Sequence, residues 1–415
     1  MSEDKKQNKK TDKAKHHLRH LWSASLIVLV VAIVCCFNWQ KCLWNVGSID
    51  EQLAAIEAAR SIPDGENAAV YYTRFLTDPN HTSILDDLAS YTPSAYSAPW
   101  LDSEHPQLAA KIKTLRTFIQ TLLDISEMQQ ARFPVYPSPG SDSFQVLKNV
   151  RKVVYILSCA AANDLAEGRI DAAHSKYRCQ LKLARHLQQQ PAWYYNGPGI
   201  AIEALAHGNI KMAVMQDDVT PEQLSLLETT LKIPQNNRSE DDEIADKVNN
   251  LIERKEKSQL PLTIPLKVWW RALRTQKQDE KRLHQIRLRL LSSRQSTRIL
   301  IALRRHKEET GTWPETIEQI EPKLPEQMLI DPQNNGPFVY KHDGDDFVFY
   351  SKGPNNIDEG GSQSGSADDW PNLAAENENN PGRRTIVATT HVKNRFWEPA
   401  GPKIIEENGL FERLC

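Results

Sequence analysis

The sequence feature that most constrains the fold lies near the start of the chain, where Leu21 to Trp39 form a run of 19 residues without a charged side chain. At a rise of ~1.5 Å per residue, a helix of this length measures about 28 Å, which matches the hydrocarbon core of a bilayer. Trp22, Trp39 and Trp44 flank the run, at the depth where indole rings prefer to lie. The run therefore predicts one transmembrane helix, which we place at residues 21–43, in direct contact with the lipid bilayer.

The charges on either side of this run predict its orientation. Residues 1–20 carry seven Lys and Arg against three acidic residues, a net charge of +4, whereas Lys41 is the one basic residue that closely follows the run. Because positive residues beside a membrane span stay in the cytoplasm, we expect residues 1–20 to be a basic cytoplasmic tail. The protein is then expected in the cytoplasmic (inner) membrane, with the bulk of the chain extracytoplasmic.

Two alternatives to a membrane anchor are a cleaved signal peptide and a buried core helix. The basic segment before the run is long for a signal peptide, and no A-x-A-like cleavage site follows Phe37. These observations favour the uncleaved anchor.

Composition excludes several classes of protein. The formal net charge is −2, with 51 Lys and Arg against 53 Asp and Glu, so no nucleic-acid partner is predicted. Six Cys in 415 residues are too few for a disulfide-framework protein. A mean hydropathy of −0.55 excludes a polytopic membrane protein but permits a single span. The length allows two or three domains of roughly 100–200 residues each.

Residues 48–235 are predicted to form an extracytoplasmic helical domain, because apolar residues recur at helical spacing along most of this range. Two of its segments, Ser143–Glu167 and Ile170–Gln190, are joined at Gly168. Stacked helices offer concave grooves to other proteins. We therefore expect the helical domain to bind a protein partner.

The second of these segments carries a short motif. Gly168, Ala173, Tyr177 and Leu181 stand at offsets that place the last three on one buried helix face. Residues 168–191 thereby resemble the second half of a tetratricopeptide repeat (TPR). With one such unit, the pattern favours an antiparallel helical hairpin over a repeat array.

Two cysteines belong to the same hairpin. Cys159 and Cys179 lie ten residues to either side of position 169, so an antiparallel hairpin brings them level with each other. In an oxidising compartment this arrangement predicts a disulfide between them. The alternative is that both are small residues packed in the core.

Residues 236–290 are predicted to form a basic helical bridge. The stretch Lys267–Lys307 contains 13 Lys and Arg against two acidic residues, and Trp269 and Trp270 stand near its start. One interpretation is an interfacial segment, with both indoles at headgroup depth and the basic side chains on lipid phosphates. The other is a set of ordinary helices with a charged, solvated face.

The C-terminal part of the chain has the most specific pattern. A helix is predicted over Arg298–Thr310, and a Gly-Thr-Trp-Pro sequence follows at 311–314. Two strand-like runs, Phe338–Lys341 and Phe347–Tyr350, enclose an Asp- and Gly-rich turn, which is typical of a β-hairpin.

This order of motifs over residues 291–370 resembles the globular part of type II secretion major pseudopilins. In that family a helix and a G-x-[YW]-P turn precede a D-P-x-x-x-x-P-x-x-Y hairpin, a Y-S-x-G strand end and an acidic Gly-rich loop. The matching positions are Gly311, Trp313, Pro314, Asp331, Pro332, Pro337, Tyr340, Tyr350, Ser351, Gly353, Gly360, Gly361, Asp368 and Asp369.

The chain also departs from that family. The prepilin signal is missing, and about 250 residues separate the apolar run from the module, whereas the two are continuous in a pseudopilin. The whole chain looks more like bacterial membrane-anchored proteins that carry such a module at the C-terminus.

The resemblance implies a calcium site in the acidic loop. Asp368 and Asp369 occupy the positions of the family's side-chain ligands, and Asp358 is added because of its place in the loop. Ca²⁺ takes six to eight oxygen ligands, and a Gly-rich loop lets carbonyl oxygens join the carboxylates. The alternative is a solvated acidic loop without an ion.

Together these patterns predict a mostly α chain with a C-terminal α+β module. One N-terminal transmembrane helix comes first, then TPR-like hairpins, then a pseudopilin-like helix with a small antiparallel sheet. Residues 371–415 are predicted to be a flexible segment with a last strand within Thr385–Trp397.

The predicted function is that of a single-pass, membrane-anchored interaction or scaffold protein. The local motifs of a P-loop, a nucleophile elbow, a zinc protease and a C-x-x-C redox site are all missing, so no enzyme is predicted. The first alternative is a component of a type II secretion or pilus-like envelope machine. A second alternative is an envelope hydrolase whose site is assembled from distant residues.

Overall fold

The computed structural model describes residues 49–89, 98–137, 140–217, 219–232, 241–259, 266–358 and 386–387. The predicted tail 1–20 and the predicted membrane helix 21–43 lie outside these ranges. Within them, no helix is both long enough and apolar enough to cross a membrane.

Helices dominate the described chain, as the sequence predicts. Helix α1 covers residues 49–59. The α-helices that follow are α2 (Ala68–Leu76), α3 (Pro79–Ala89), α4 (Pro106–Thr114), α5 (Arg116–Ser126), α6 (Asp142–Ala166), α7 (Ile170–Gln188), α8 (Trp193–Val214), α9 (Pro221–Thr230), α10 (Asp241–Gln259) and α11 (Leu266–Thr310). Short 3-10 helices cover Asp64–Glu66, Ile317–Lys323 and Glu326–Leu329.

The strands are short and lie near the C-terminus: β1 (Ile330–Asp331), β2 (Gly336–Pro337), β3 (Val339–Asp343), β4 (Asp346–Tyr350) and β5 (Ile386–Val387). Strands β1 and β2 form an antiparallel pair, and β3, β4 and β5 form a second sheet in that order.

The chain forms two compact units. The first comprises Met1–Ala59 and Asn250–Ile264, and in it the Lys255 ammonium pairs with the Asp50 carboxylate at 2.6 Å. The second unit comprises Arg60–Asn249 and Pro265–Cys415, and it contains every site described below.

Helices α6 and α7 form the hairpin predicted around Gly168. Gly168 has φ +71°, a backbone conformation that glycine adopts without steric cost, and its N–H donates to the Leu165 carbonyl oxygen (3.0 Å). Ala173, Tyr177 and Leu181 are all buried, as their spacing predicts.

Helices α7 and α8 approach each other closely at Gly199. A Cβ atom at this position would lie 2.7 Å from Gln188 Cγ, 2.9 Å from the Ala184 carbonyl oxygen and 3.2 Å from the Gln188 backbone nitrogen. Glycine is therefore required here for the two helices to pack at this distance.

The helical stack and the C-terminal strands share one hydrophobic core. It joins Tyr177 of α7 and Leu224 of α9 to Ile299 of α11, to Trp313, which follows α11, and to Phe347 of β4. Residues of the predicted module 291–370 and of the predicted helical domain 48–235 thus contribute to the same core.

Helix α11, from Leu266 to Thr310, extends from the predicted bridge 236–290 into the predicted module 291–370. The bridge is predicted from the basic residues of this segment. A charge pattern does not indicate which helices and strands pack into the same core.

The β3–β4 hairpin agrees with the sequence prediction and is slightly longer. Its register runs from Val339↔Tyr350 to Asp343↔Asp346. Gly344 has φ +63° at the first central position of the two-residue turn, as a type II′ turn requires. Ile386 pairs with Val348 in a parallel arrangement, so this sheet is not wholly antiparallel as predicted.

Candidate functional site

The main concentration of buried ionisable groups lies between α8 and α11. Glu203, His207 and Lys211 follow one another at intervals of four residues, so they share one face of α8. All three are at most 4% exposed. With Ser293, Arg294 and Thr297 of α11 they form what we call the α8–α11 cluster.

Glu203 and Arg294 form the ion pair of this cluster. The guanidinium binds both carboxylate oxygens, with Nε–Oε1 at 2.5 Å and Nη2–Oε2 at 2.8 Å, and Gln188 Nε2 donates to Oε2 (2.8 Å). Burial alone would raise the pKa of Glu203, but the contacts with His207 and Arg294 outweigh it and lower that pKa to about 2. Glu203 is therefore a carboxylate at neutral pH.

His207 has a defined hydrogen-bonding pattern. Its Nδ1 lies 3.1 Å from Thr297 Oγ1, and that hydroxyl donates to the Ser293 carbonyl oxygen (2.7 Å). His207 Nε2 makes no hydrogen bond and lies 3.5 Å from Glu203 Oε1. Burial lowers the pKa of His207, which favours the neutral ring.

Lys211 is the most unusual member of the cluster. Within the described part of the chain, its ammonium has one hydrogen bond, a long contact of 3.4 Å to Ser293 Oγ. Burial lowers the pKa of Lys211 to about 7. The cluster thus encloses three basic side chains with a single carboxylate.

An uncharged network joins α6, α7 and α8 on another face of α8. Gln180 Nε2 donates to Ser158 Oγ (2.8 Å) and to the Val154 carbonyl oxygen (3.1 Å), and Asn209 Nδ2 donates to Ser158 Oγ (3.0 Å). These side chains are almost fully buried. Their role is to fix the register of the three helices.

A histidine also links α7 to the first part of the unit. His186 Nε2–H donates to the Met128 carbonyl oxygen (2.9 Å), and Tyr72 Oη lies 3.3 Å from Nδ1. Burial lowers the pKa of His186 to about 4. His186 is thus a neutral structural residue near neutral pH.

In the C-terminal module, three positions that match the pseudopilin motifs come together. The buried Asp331 carboxylate accepts hydrogen bonds from Gln333 N–H (3.1 Å), Asn334 Nδ2 (3.1 Å) and the Ser351 hydroxyl. Ser351 Oγ in turn accepts from Gly353 N–H (2.9 Å). These contacts tie the β1–β2 turn to the end of β4.

The Gly-Thr-Trp-Pro sequence connects α11 to the same module. The Trp313 ring is buried edge-on against Phe347, with ring centroids 4.5 Å apart, and Lys307 Nζ lies 4.5 Å from the indole. The Tyr340 hydroxyl donates to the Pro314 carbonyl oxygen (2.5 Å). Trp313 and Pro314 of the motif therefore hold the end of α11 against the β3–β4 hairpin.

The structure describes one of the three predicted calcium ligands. Asp358 Oδ1 accepts a hydrogen bond from the Tyr350 hydroxyl, and Oδ2 lies 3.8 Å from Lys341 Nζ. A lysine so close disfavours a second cation at this carboxylate. Asp368 and Asp369 lie outside the described residues. Within the described ranges, no three His, Cys, Asp or Glu side chains are grouped to hold a metal ion.

The two cysteines of the predicted disulfide are free thiols in different surroundings. Cys159 packs beside Trp100 and Leu108, whereas Cys179 Sγ lies 3.6 Å from the Leu122 carbonyl oxygen. Burial raises the pKa of each thiol to about 12. Symmetric spacing about the turn sets the height of a residue along the hairpin, but not the direction in which its side chain points.

Several basic residues of α11 are used within the second unit. Arg298 Nη2 donates to the Leu231 carbonyl oxygen at the end of α9 (3.1 Å), and Arg305 Nη2 pairs with Glu228 (2.7 Å). The side chains of Trp269 and Trp270, where lipid contact is predicted, lie outside the described part of the structure.

A partly exposed aromatic group at the start of α8 has no counterpart in the sequence predictions. Trp193 is 49% exposed and stacks on Tyr194, with ring centroids 4.0 Å apart, and Tyr136 meets Tyr194 edge-on at 6.4 Å. We call these three residues the aromatic surface group. Tyr195, the next residue, is fully buried, so the Trp-Tyr-Tyr sequence alone does not show which rings face solvent.

No family model matches the chain, and neither a curated protein nor a solved structure matches it.

Proposed function

We propose that the protein is a single-pass, membrane-anchored interaction or scaffold protein whose folded part is extracytoplasmic. The uncharged run within residues 21–43 and the basic tail 1–20 support the anchor and its orientation. The observation that carries partner binding is the aromatic surface group, in which exposed Trp193 stands on half-buried Tyr194, because Trp and Tyr rings are enriched at protein interfaces and supply much of their binding energy.

The buried ionisable groups support a scaffold more than an enzyme. Glu203, His207 and Lys211 contact side chains of the unit itself, and a substrate can reach them only after α8 and α11 separate. Groups with these partners connect helices of the fold, which suits a platform for another protein.

Site-specific photocrosslinking tests the binding surface. The full chain carries a benzophenone amino acid at position 193 and is expressed in the cells that produce it, with position 101 as the matched control because Leu101 is 41% exposed. We expect a crosslinked protein from position 193 alone. In a separate co-purification without crosslinker, Trp193→Ala should lower recovery of that protein with the full chain about tenfold or more, as at an interface hot spot. Equal crosslinking from both positions, or none from position 193, would contradict the proposal.

Enzyme fusions test the orientation. Alkaline phosphatase fused after Cys415 should be active, because the enzyme matures only in an oxidising, extracytoplasmic compartment. A green fluorescent protein at the same position, exported unfolded, should be dark. The reverse pattern would contradict the proposed topology.

A second candidate function, a component of a secretion or pilus-like envelope machine, is favoured by the hydrogen-bonded group of Asp331, Ser351 and Gly353. In this proposal the acidic loop binds Ca²⁺ through Asp368 and Asp369. The test is the melting temperature of the full chain in millimolar Ca²⁺ and in EDTA, with the Asp368→Asn/Asp369→Asn double variant as the control. A Ca²⁺-dependent rise in the wild type alone supports the site, and equal melting temperatures contradict it.

A further inference from the structure

The contact between α8 and α11 is unbalanced in charge. Glu203 is the one carboxylate of the α8–α11 cluster, and the Arg294 guanidinium already binds both of its oxygens. Lys211, two helical turns along α8 from Glu203, is enclosed in the same contact with a hydroxyl as its hydrogen-bond partner. When Lys211 is charged, the buried contact therefore carries a net positive charge.

The groups that surround Lys211 offer no compensation. On α8 the nearest ionisable residue is His207, and α11 contributes Arg294. Helices α6 and α7 face α8 with neutral groups, Ser158 and Gln180, on the side of Asn209. Among the described residues, burial is the one influence that shifts the pKa of Lys211, and no nearby carboxylate raises it.

We propose that Lys211 makes the packing of α11 on α8 proton-dependent: the contact is closed while Lys211 is neutral and loosens when Lys211 is protonated. The loosened state lets water reach the ammonium, which relieves its burial. The inference concerns regulation of the fold itself and stands apart from the identity of any partner.

The pH range follows from the two states of Lys211. In the closed contact its pKa is about 7, against an ordinary value of 10.5. The open state thus binds more protons than the closed state between pH 10.5 and 7, so opening becomes easier as the pH falls through this range and levels off below it. Linkage gives an increase in the opening equilibrium constant of about tenfold from pH 8 to pH 6, and about 50-fold from pH 9 to pH 7.

Hydrogen–deuterium exchange on the full chain measures this opening directly. Peptides from 284–305 of α11 and 200–214 of α8 are followed from pH 9 to pH 6, with rates corrected for the intrinsic pH dependence of exchange. We expect their protection to fall by the stated factors. Peptides from 150–165 of α6 contact α7 and α8 through the uncharged network, among other groups. Their protection should change less than twofold over the same pH range.

Two variants assign the effect to Lys211. Lys211→Met keeps the length of the side chain without the charge, so protection should become independent of pH. His207→Gln retains Lys211 and should keep the wild-type dependence above pH 6.5. An unchanged pH dependence in Lys211→Met, or its loss in His207→Gln alone, would overturn the proposal.

A measurement on the wild type keeps the test decisive if Lys211→Met does not fold. NMR of the full chain labelled at lysine ¹³Cε should show one resonance that titrates near pH 7, well separated from the ordinary lysines. If every lysine titrates above pH 9, Lys211 is charged throughout the proposed range and the inference fails.

Discussion

Replacing Gly199 with alanine should destabilise the protein through the packing of α7 on α8. The added Cβ would lie 2.9 Å from the Ala184 carbonyl oxygen, whereas an ordinary contact begins at 3.4 Å, so the two backbones must separate by about 0.5 Å. Gln188 can turn its side chain away, but its backbone nitrogen and the Ala184 oxygen cannot. Overpacking of this kind costs about 1–3 kcal/mol.

The gain in helix propensity from glycine to alanine opposes this cost by about 1 kcal/mol. The clash involves backbone atoms, which places its cost in the upper half of the range. We therefore expect Gly199→Ala to lower the free energy of unfolding by about 1–2 kcal/mol. The displaced Gln188 also loses its hydrogen bond to Glu203, which adds to the loss.

Urea unfolding of the full chain, followed by circular dichroism, measures the effect as a lower midpoint with an unchanged slope. Gly197→Ala is the matched control, because no atom lies within 4 Å of a Cβ at this position. Alanine gains propensity there, but Pro198 follows and disfavours a helical backbone for a residue with a Cβ, so the net change should stay below about 1 kcal/mol.

The comparison can refute the packing argument in two ways. Gly199→Ala must be less stable than the wild type if separating the two backbones costs free energy, so equal midpoints would show that α7 moves without cost. An equal loss in Gly197→Ala would show that the effect belongs to the helix itself and not to the contact with α7.

Three further outcomes are expected. Asp331→Ala leaves the Ser351 hydroxyl and two other donors without an acceptor, so thermal unfolding should show a loss of about 3 kcal/mol, with a smaller loss in Asp331→Asn; equal losses would contradict the hydrogen-bonding argument. The pKa of His186 is about 4 in the folded protein and 6.5 ordinarily, so protonation of His186 favours unfolding as the pH falls from 6.5 to 4. His186 therefore contributes about 3 kcal/mol to the free energy of unfolding above pH 6.5, and this contribution is lost over that range. His186→Gln should remove this slope in acid titrations of stability, and an unchanged slope would assign it elsewhere. Cys159 and Cys179 should react slowly with maleimide at pH 8 until the protein unfolds, and a disulfide-linked peptide in non-reducing mass mapping would refute the free thiols.

Local patterns allowed local structure to be predicted well. Gly168 and the spacing of Ala173, Tyr177 and Leu181 predict the α6–α7 hairpin and its buried face, because both depend on residues close in sequence. The Asp- and Gly-rich turn at Gly344 predicts the β3–β4 hairpin for the same reason.

The α8–α11 cluster could be predicted only in part. Glu203, His207 and Lys211 stand at helical spacing in an otherwise apolar segment, which is a visible sign of a buried polar face. Their partners on α11 come some 90 residues later, as with Thr297 and His207, and no periodicity indicates which helix faces which. Pairing across this distance depends on the complete fold.

The core shared by the helices and the C-terminal strands has a consequence for the order of folding during synthesis. Tyr177 and Phe347 belong to one hydrophobic cluster although 170 residues separate them. At roughly 5–20 residues per second, a ribosome needs about 10–30 s to add that stretch. During this interval the cluster lacks its β4 members, so the nascent chain exposes part of the cluster's apolar surface, which other chains or a chaperone can bind until Phe347 and Phe349 have emerged.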